Sequence, residues 1–187
     1  MHNFIWEGEI DLDICDKLVE FYETCTYLTK RQYESNPFND AKGNGKDSLD
    51  LHCHTMLAKN EKCLNDYLQA LIQCVDKYYR TYPQAGQIEC HVSPLFNIQK
   101  YKPGGGYPAE HSEIMSYSTS HRIMAFMTYL TDTKNGGTEF TYLNWTAPCK
   151  KGLTLIWPVD YLYTHTGVIS NSDDKMIITG WLGFKDE

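Results

Sequence analysis

From residue 88 onward the chain breaks into short apolar runs with no helical spacing between them, and this pattern limits the folds open to it. The runs cover 88–101, 122–131, 138–143, 152–157, 163–169 and 175–184. Each is rich in aromatic and β-branched residues, and the gaps hold Gly, Pro, Asn and Asp, which are the residues of strands and of turns. The segment from Asp132 to Gly137 is a turn signal that ends in Gly-Gly. Many short strands without intervening helices favour a sandwich or barrel, and the expected form is a jelly roll, the double-stranded β-helix.

The first half reads differently. Residues 11–28 form a predicted amphipathic helix, capped by Asp11 or Asp13, with Ile14, Leu18, Val19 and Tyr22 at helical spacing. Asn36-Pro37 ends that segment, and the polar stretch 40–50, with Gly43 and Gly45, reads as an exposed loop. A second helix is predicted over 57–82, with Leu64, Leu68, Leu71, Ile72, Val75 and Tyr79 as its apolar stripe and Pro83 as its stop. Neither helix carries paired catalytic groups. The expectation is one mainly-β domain over 1–187, with a helical supporting segment at 1–86 and the jelly-roll core at 87–187. No repeat, low-complexity tract or linker divides it.

Composition excludes some partners. The net charge of -7 argues against nucleic acid, whose phosphates demand basic surface; Lys77, Arg80 and nearby tyrosines read as a solvated helix face. The start Met-His-Asn-Phe-Ile-Trp-Glu has neither the basic residues nor the apolar run of a secretory signal, and no apolar stretch is long enough to span a bilayer. A cytoplasmic protein without membrane contact is expected. The seven cysteines form no C-x-x-C pair and read as small buried hydrophobes. His52-Cys53-His54 lacks a further ligand pair at zinc-finger spacing and reads as accidental.

The chemistry concentrates in the second half. His111-Ser-Glu113 follows the Gly-rich run Tyr101-Lys-Pro-Gly-Gly-Gly-Tyr107, and His165 lies on a predicted strand of the stretch 154–184. On a strand, residues two apart share a face, so His111 and Glu113 are expected to look into one interior. Two imidazoles and a carboxylate are the ligands of a non-haem Fe(II) site with open positions. Lys175 follows His165 by ten residues on an apolar strand. A lysine inside a sheet is costly unless it meets an anion, and a hairpin from 163 to 184 would bring it to the wall that carries His165.

Taken together and in order, Tyr101, Pro103-Gly104-Gly105-Gly106, His111-Ser-Glu113, Met127-Thr-Tyr129-Leu130, Gly136-Gly137-Thr138-Glu139-Phe140, His165, Lys175 and Trp181 carry a resemblance. The C-terminal half, about 96–184, resembles the prolyl 4-hydroxylase-like branch of the Fe(II)/2-oxoglutarate-dependent dioxygenases. The resemblance implies that His111, Glu113 and His165 ligate Fe(II) and that Lys175 binds the distal carboxylate of 2-oxoglutarate. It implies that Tyr101 and Tyr129 line the co-substrate pocket, that Thr179 adds a hydrogen bond there, and that Trp181 closes it. For Tyr101 and Trp181, core packing is the alternative. The implied reaction consumes dioxygen and 2-oxoglutarate, releases succinate and carbon dioxide, and hydroxylates an unactivated C–H; ascorbate is the implied reductant. One departure stands out: Glu113 occupies the place where the family usually has Asp.

The resemblance implies a prolyl residue of a peptide or protein as substrate, with a free amino acid or another small molecule as the alternative. Tyr107, Tyr117, Tyr142 and Trp145, on predicted loops, form either a groove for a Pro-containing segment or a cap on the barrel. Two other readings stay open. One is a cupin-like metal protein, which has no use for Lys175; the other is a non-catalytic binding module on the same fold. No motif specifies an oligomeric state.

Overall fold

The computed structural model describes residues 4–34 and 45–184. In chain order the elements are β1 (Trp6–Glu9), α1 (Leu12–Thr24), β2 (Lys30–Tyr33), β3 (Ser48–His54), α2 (Lys62–Thr81), β4 (His91–Val92), β5 (Leu95–Tyr101), β6 (Arg122–Tyr129), β7 (Thr138–Phe140), β8 (Trp145–Ala147), β9 (Leu153–Pro158), β10 (His165–Gly167) and β11 (Lys175–Gly183). Among the described residues they make a large antiparallel sheet in the order β1-β9-β6-β11-β5-β3-β2, with β4 also on β11, and a small sheet β10-β7-β8. This is the mainly-β jelly-roll architecture expected, with two helices beside it.

Strand alternation divides the core in two. Met124, Phe126, Ile156, Met176, Ile178 and Leu182 leave one face of the large sheet and pack against Leu18, Tyr22, Leu64, Tyr67 and Leu71 of the helices. Ala125, Met127, Tyr129, Leu155, Trp157 and Ile177 leave the other face and pack against Phe140 and Ala147 of the small sheet. The helices therefore cover the back of the sheet, and the functional cavity opens on the front. Within the small sheet the β7 and β8 backbones approach closely at Gly137, where a Cβ would lie 2.1 Å from the Ala147 carbonyl oxygen.

The helices follow their sequence signals with small shifts. Asp11 caps α1 by accepting the Asp13 N–H. α2 begins at Lys62, after a separate 3-10 turn at Thr55–Lys59, and ends at Thr81, with Tyr82 as its C-cap directly before Pro83. Its buried face holds Tyr67, Cys74 and Tyr78, while Ile72, expected in the stripe, is 44% exposed. No described helix is long and apolar enough to cross a membrane.

The segment 1–86 is not purely helical. β1 pairs with β9, and β3 pairs with β5, so this segment extends the large sheet on both sides. Four residues are too few for β1 to show a period; the expected exposed loop 40–50 is corrected at its end, where Ser48 and Asp50 are buried in β3 beside Leu51 and Cys53 of the helix-side core. The break at Asn36-Pro37 and the first part of the 40–50 loop lie outside the described residues. The expected 163–184 hairpin does not form: β10 pairs with β7 in the small sheet, and β11 runs between β5 and β6 in the large one. Residues 168–174 cross from one sheet to the other.

Candidate active site

His111 and Glu113 sit in a loop, not on a regular strand, and backbone hydrogen bonds hold them in place. His111 and His165 exchange N–H···O bonds of 3.1 and 2.9 Å as an isolated antiparallel bridge. The N–H groups of Glu113 and Ile114 both donate to the Val159 carbonyl. The bridge sets the two imidazole centroids 4.4 Å apart. Each ring is then oriented from behind: His111 Nδ1 lies 2.8 Å from the Ala109 carbonyl oxygen and His165 Nδ1 2.9 Å from that of Tyr163. A carbonyl only accepts, so Nδ1 carries a proton in each ring, and Nε2 faces inward, where it could coordinate a metal. Tyr107 stacks on the His111 ring at 4.2 Å.

One ligand atom from each of His111, Glu113 and His165 falls within 4.8 Å of the others. His165 Nε2 is 3.4 Å from Glu113 Oε1, and the Trp181 indole N–H donates to Oε2 at 2.8 Å. Burial by itself pushes the Glu113 carboxyl up, but the His165 contact, the charge of both imidazoles and the Trp181 bond together hold it down at about 2. Burial, and then His165, lower the value of His111. A carboxylate beside two imidazoles that can release their Nε2 protons to a metal is a donor set that suits divalent iron.

Across a cavity of about 330 Å³ lies Lys175. It is 4% exposed, donates to the Val168 carbonyl at 3.1 Å and sits 4.9 Å from the centre of the Tyr101 ring. Among the described residues it has no carboxylate within 4.0 Å. Burial pulls its ammonium down to about 8. A buried cation whose near partners among the described residues are a carbonyl and a ring face could take an anionic group of a ligand. Lys175 and His165 thus face one cavity from two sheets, not from one hairpin.

The other predicted residues fall into place unevenly. Tyr101 lines the cavity and its hydroxyl donates to Gln99 Oε1. Thr179 lines it too, on the face of Lys175 as alternation requires, but its hydroxyl already donates to the Phe126 carbonyl at 2.9 Å. Tyr129 does not line the cavity. It is fully buried, its hydroxyl donates to Thr138 Oγ1 at 2.8 Å, and Thr138 is the residue that reaches the cavity. Trp181 lines the cavity at the Glu113 end, where its N–H is committed to that carboxylate. Of the four loop aromatics, Tyr107 packs on His111 and Trp145 stacks on Phe140, whereas Tyr117 and Tyr142 are exposed.

Arg122 is the cavity residue that strand parity conceals. Its guanidinium carbon lies 3.5 Å over the Trp181 ring, and Nη1 donates to the Glu113 carbonyl at 3.1 Å. Counting from Met124 and Phe126 places Arg122 on the helix side. A β-bulge intervenes: Leu182 pairs with Met124 but Gly183 pairs with Arg122, so Ile123 is the extra residue and Arg122 turns to the front.

Residues 96–183 match the family model described as the 2OG-Fe(II) oxygenase superfamily. No curated protein matches the sequence. Among solved structures, the chain is similar to a viral collagen prolyl hydroxylase from Paramecium Bursaria Chlorella virus-1 in complex with 2OG. That pair has 15% identity, a TM-score of 0.67 and 96% of each chain covered. A Pseudomonas putida prolyl-4-hydroxylase is similar at 12% identity and a TM-score of 0.69, covering 97% of this chain and 93% of that one. A Trichoplax adhaerens prolyl hydroxylase, solved with a hypoxia inducible factor oxygen degradation domain peptide fragment, is similar at 13% identity and a TM-score of 0.67, covering 97% and 84%. The structures share the fold, and the family match supports the oxygenase reading. Residues 96–183, just under half of the chain, are thus similar to the 2OG-Fe(II) oxygenase superfamily, and the fold is the one seen in the solved prolyl hydroxylases.

Proposed function

We propose that His111, Glu113 and His165 hold the iron, that Lys175 holds the distal carboxylate of 2-oxoglutarate, and that the substrate is a prolyl residue of a peptide or protein. One observation carries this reading: three inward-facing ligand atoms and one buried, carboxylate-free ammonium line the same cavity. Bound there with 2-oxoglutarate and dioxygen, the iron supplies the oxidising power that replaces a C–H with C–OH while 2-oxoglutarate leaves as succinate and carbon dioxide.

The chain's own residues prepare that step. The Ala109 and Tyr163 carbonyls fix the two ring planes and tautomers. Glu113 stays anionic and offsets part of the metal charge. Lys175, with its charge undiluted by water, aligns the co-substrate along the cavity. Met127, Trp157 and Ile177 give the cavity an apolar wall that excludes water. Ascorbate enters as the reductant that keeps the iron divalent between cycles.

The peptide reading draws on the rim. Met115 lines the cavity yet is 71% exposed, and Tyr117, two residues on, is 95% exposed. Apolar side chains left at a cavity mouth are placed to meet an extended chain. The neighbours of like fold are prolyl hydroxylases, one of them solved with a peptide.

Anaerobic titration with Fe(II) and 2-oxoglutarate tests the metal and co-substrate assignments. The wild type is expected to develop a visible metal-to-ligand charge-transfer band that His165→Ala abolishes. A well-folded wild type without the band refutes the ligand set. Succinate release stimulated by Pro-containing peptides, with gain of one oxygen atom by the peptide, is expected for the substrate. Stimulation by free amino acids alone would overturn the peptide reading, and succinate formation without ascorbate dependence would remove the reductant from it.

A further inference from the structure

We infer that Arg122 and Trp181 are positioning residues that hold Glu113 in the geometry of a metal ligand, an assignment that rests on the iron-binding reading above. A glutamate has one more rotatable bond than the aspartate usual at this place. It therefore has more ways to miss the metal unless its carboxylate is held. Here both ends of the residue are held. The Trp181 N–H binds Oε2 at 2.8 Å, which leaves Oε1 on the His165 side, 3.4 Å from its Nε2. Arg122 Nη1 binds the Glu113 backbone carbonyl at 3.1 Å and lies 3.6 Å from Oε2. The same guanidinium covers the Trp181 ring at 3.5 Å, so it fixes the indole that fixes the carboxylate.

Two features argue that this arrangement serves the site and not only the fold. Arg122 reaches the front of the sheet through a bulge, and bulges recur beside active sites where a side chain must be re-aimed. Gly183 permits that bulge, since a Cβ there would lie 2.6 Å from the His121 carbonyl oxygen. Moreover, Arg122 Nε is buried without a hydrogen-bond partner among the described residues. An arginine placed for stability alone would satisfy its fork; this one leaves a donor idle in order to reach Glu113 and Trp181 at once.

The test compares Arg122→Met, Arg122→Lys and Trp181→Phe with the wild type. The phenylalanine keeps a ring under the guanidinium and removes the N–H. Each is titrated anaerobically with Fe(II) at saturating 2-oxoglutarate, and the denaturation midpoint of the metal-free protein is measured in parallel. Arg122→Met and Trp181→Phe are each expected to weaken Fe(II) binding about tenfold or more and to move the charge-transfer band, the usual cost of losing a partner of a metal ligand. Arg122→Lys, which keeps the charge and loses the flat stacking face, is expected to recover part of the affinity. Wild-type Fe(II) affinity and an unmoved band in either folded variant overturn the inference, whatever the change in midpoint. Trp181→Phe keeps the test decisive should Arg122→Met fail to fold. Absence of the band in the wild type would overturn the iron-binding reading itself and this inference with it, and is thereby distinct from failure of the variants alone.

Discussion

Lys175→Met is expected to stabilise the ligand-free protein while it abolishes 2-oxoglutarate binding. The usual lysine value is 10.5, and burial pulls Lys175 down to about 8. Each tenfold change in the proton equilibrium is worth about 1.36 kcal/mol, so the ammonium is about 3 kcal/mol worse off inside than in water. Methionine has similar length and packs well against an aromatic face such as Tyr101. Loss of the bond to the Val168 carbonyl removes about 1 kcal/mol, which leaves a net gain of about 2 kcal/mol. With a urea slope of about 2 kcal/mol/M, the midpoint rises by about 1 M. The sign of the pH dependence follows from linkage. Lysine is a base whose folded value lies below its unfolded one. The penalty is therefore present in full below about 8, fades between about 8 and 10.5, and is gone above. Urea denaturation of metal-free protein at about pH 7 and about pH 9.5 is expected to show the larger advantage of the variant at the lower pH. A variant less stable than wild type, or an advantage equal at both pH values, refutes the argument that the site keeps an uncompensated charge. Retained 2-oxoglutarate binding refutes its role as anchor.

Three further predictions follow from buried contacts. Thr138→Val removes the acceptor of the Tyr129 hydroxyl and is expected to cost about 1–3 kcal/mol in urea denaturation, with Tyr129→Phe in the same chain recovering part of it. Gly183→Ala forces a Cβ against the His121 carbonyl and is expected to cost about 2 kcal/mol or more, with Fe(II) affinity falling as Arg122 swings away; a neutral outcome in both measurements would dismiss the bulge. Asp50 is 1% exposed and accepts from Ser48, Lys46 and Gln99, so Asp50→Asn is expected to cost about 3 kcal/mol, because it leaves Lys46 without its carboxylate; calorimetric melting checks this.

Where a strand is long and regular, its period reveals its faces. Lys175, Thr179 and Trp181 are all odd positions of β11, and all three line the cavity. The helices were legible for the same reason, since Leu18, Leu64, Leu71 and Val75 mark their buried sides. The donor types were legible as well: a set of two imidazoles, one carboxylate and one lone lysine is a statement about chemistry that needs no coordinates.

What escaped the sequence depends on pairing between distant segments. β3 has polar residues on its cavity face, and only its place beside β5 makes it a strand. His111 and Glu113 owe their common direction to a single bridge with His165 and to the Val159 carbonyl, not to strand alternation. His165 and Lys175 meet across two sheets because the chain between them changes layer. Tyr129 has the right parity but stands behind Thr138, which no count along the chain reveals. Arg122 has the wrong parity until one extra residue in β6 reverses it. The amino-acid sequence by itself thus determined which groups are available and which elements carry them, because both follow from local composition and period. The tertiary structure alone decided which groups meet, because a bulge, a bridge and a sheet crossing each redirect a side chain through contacts remote in sequence.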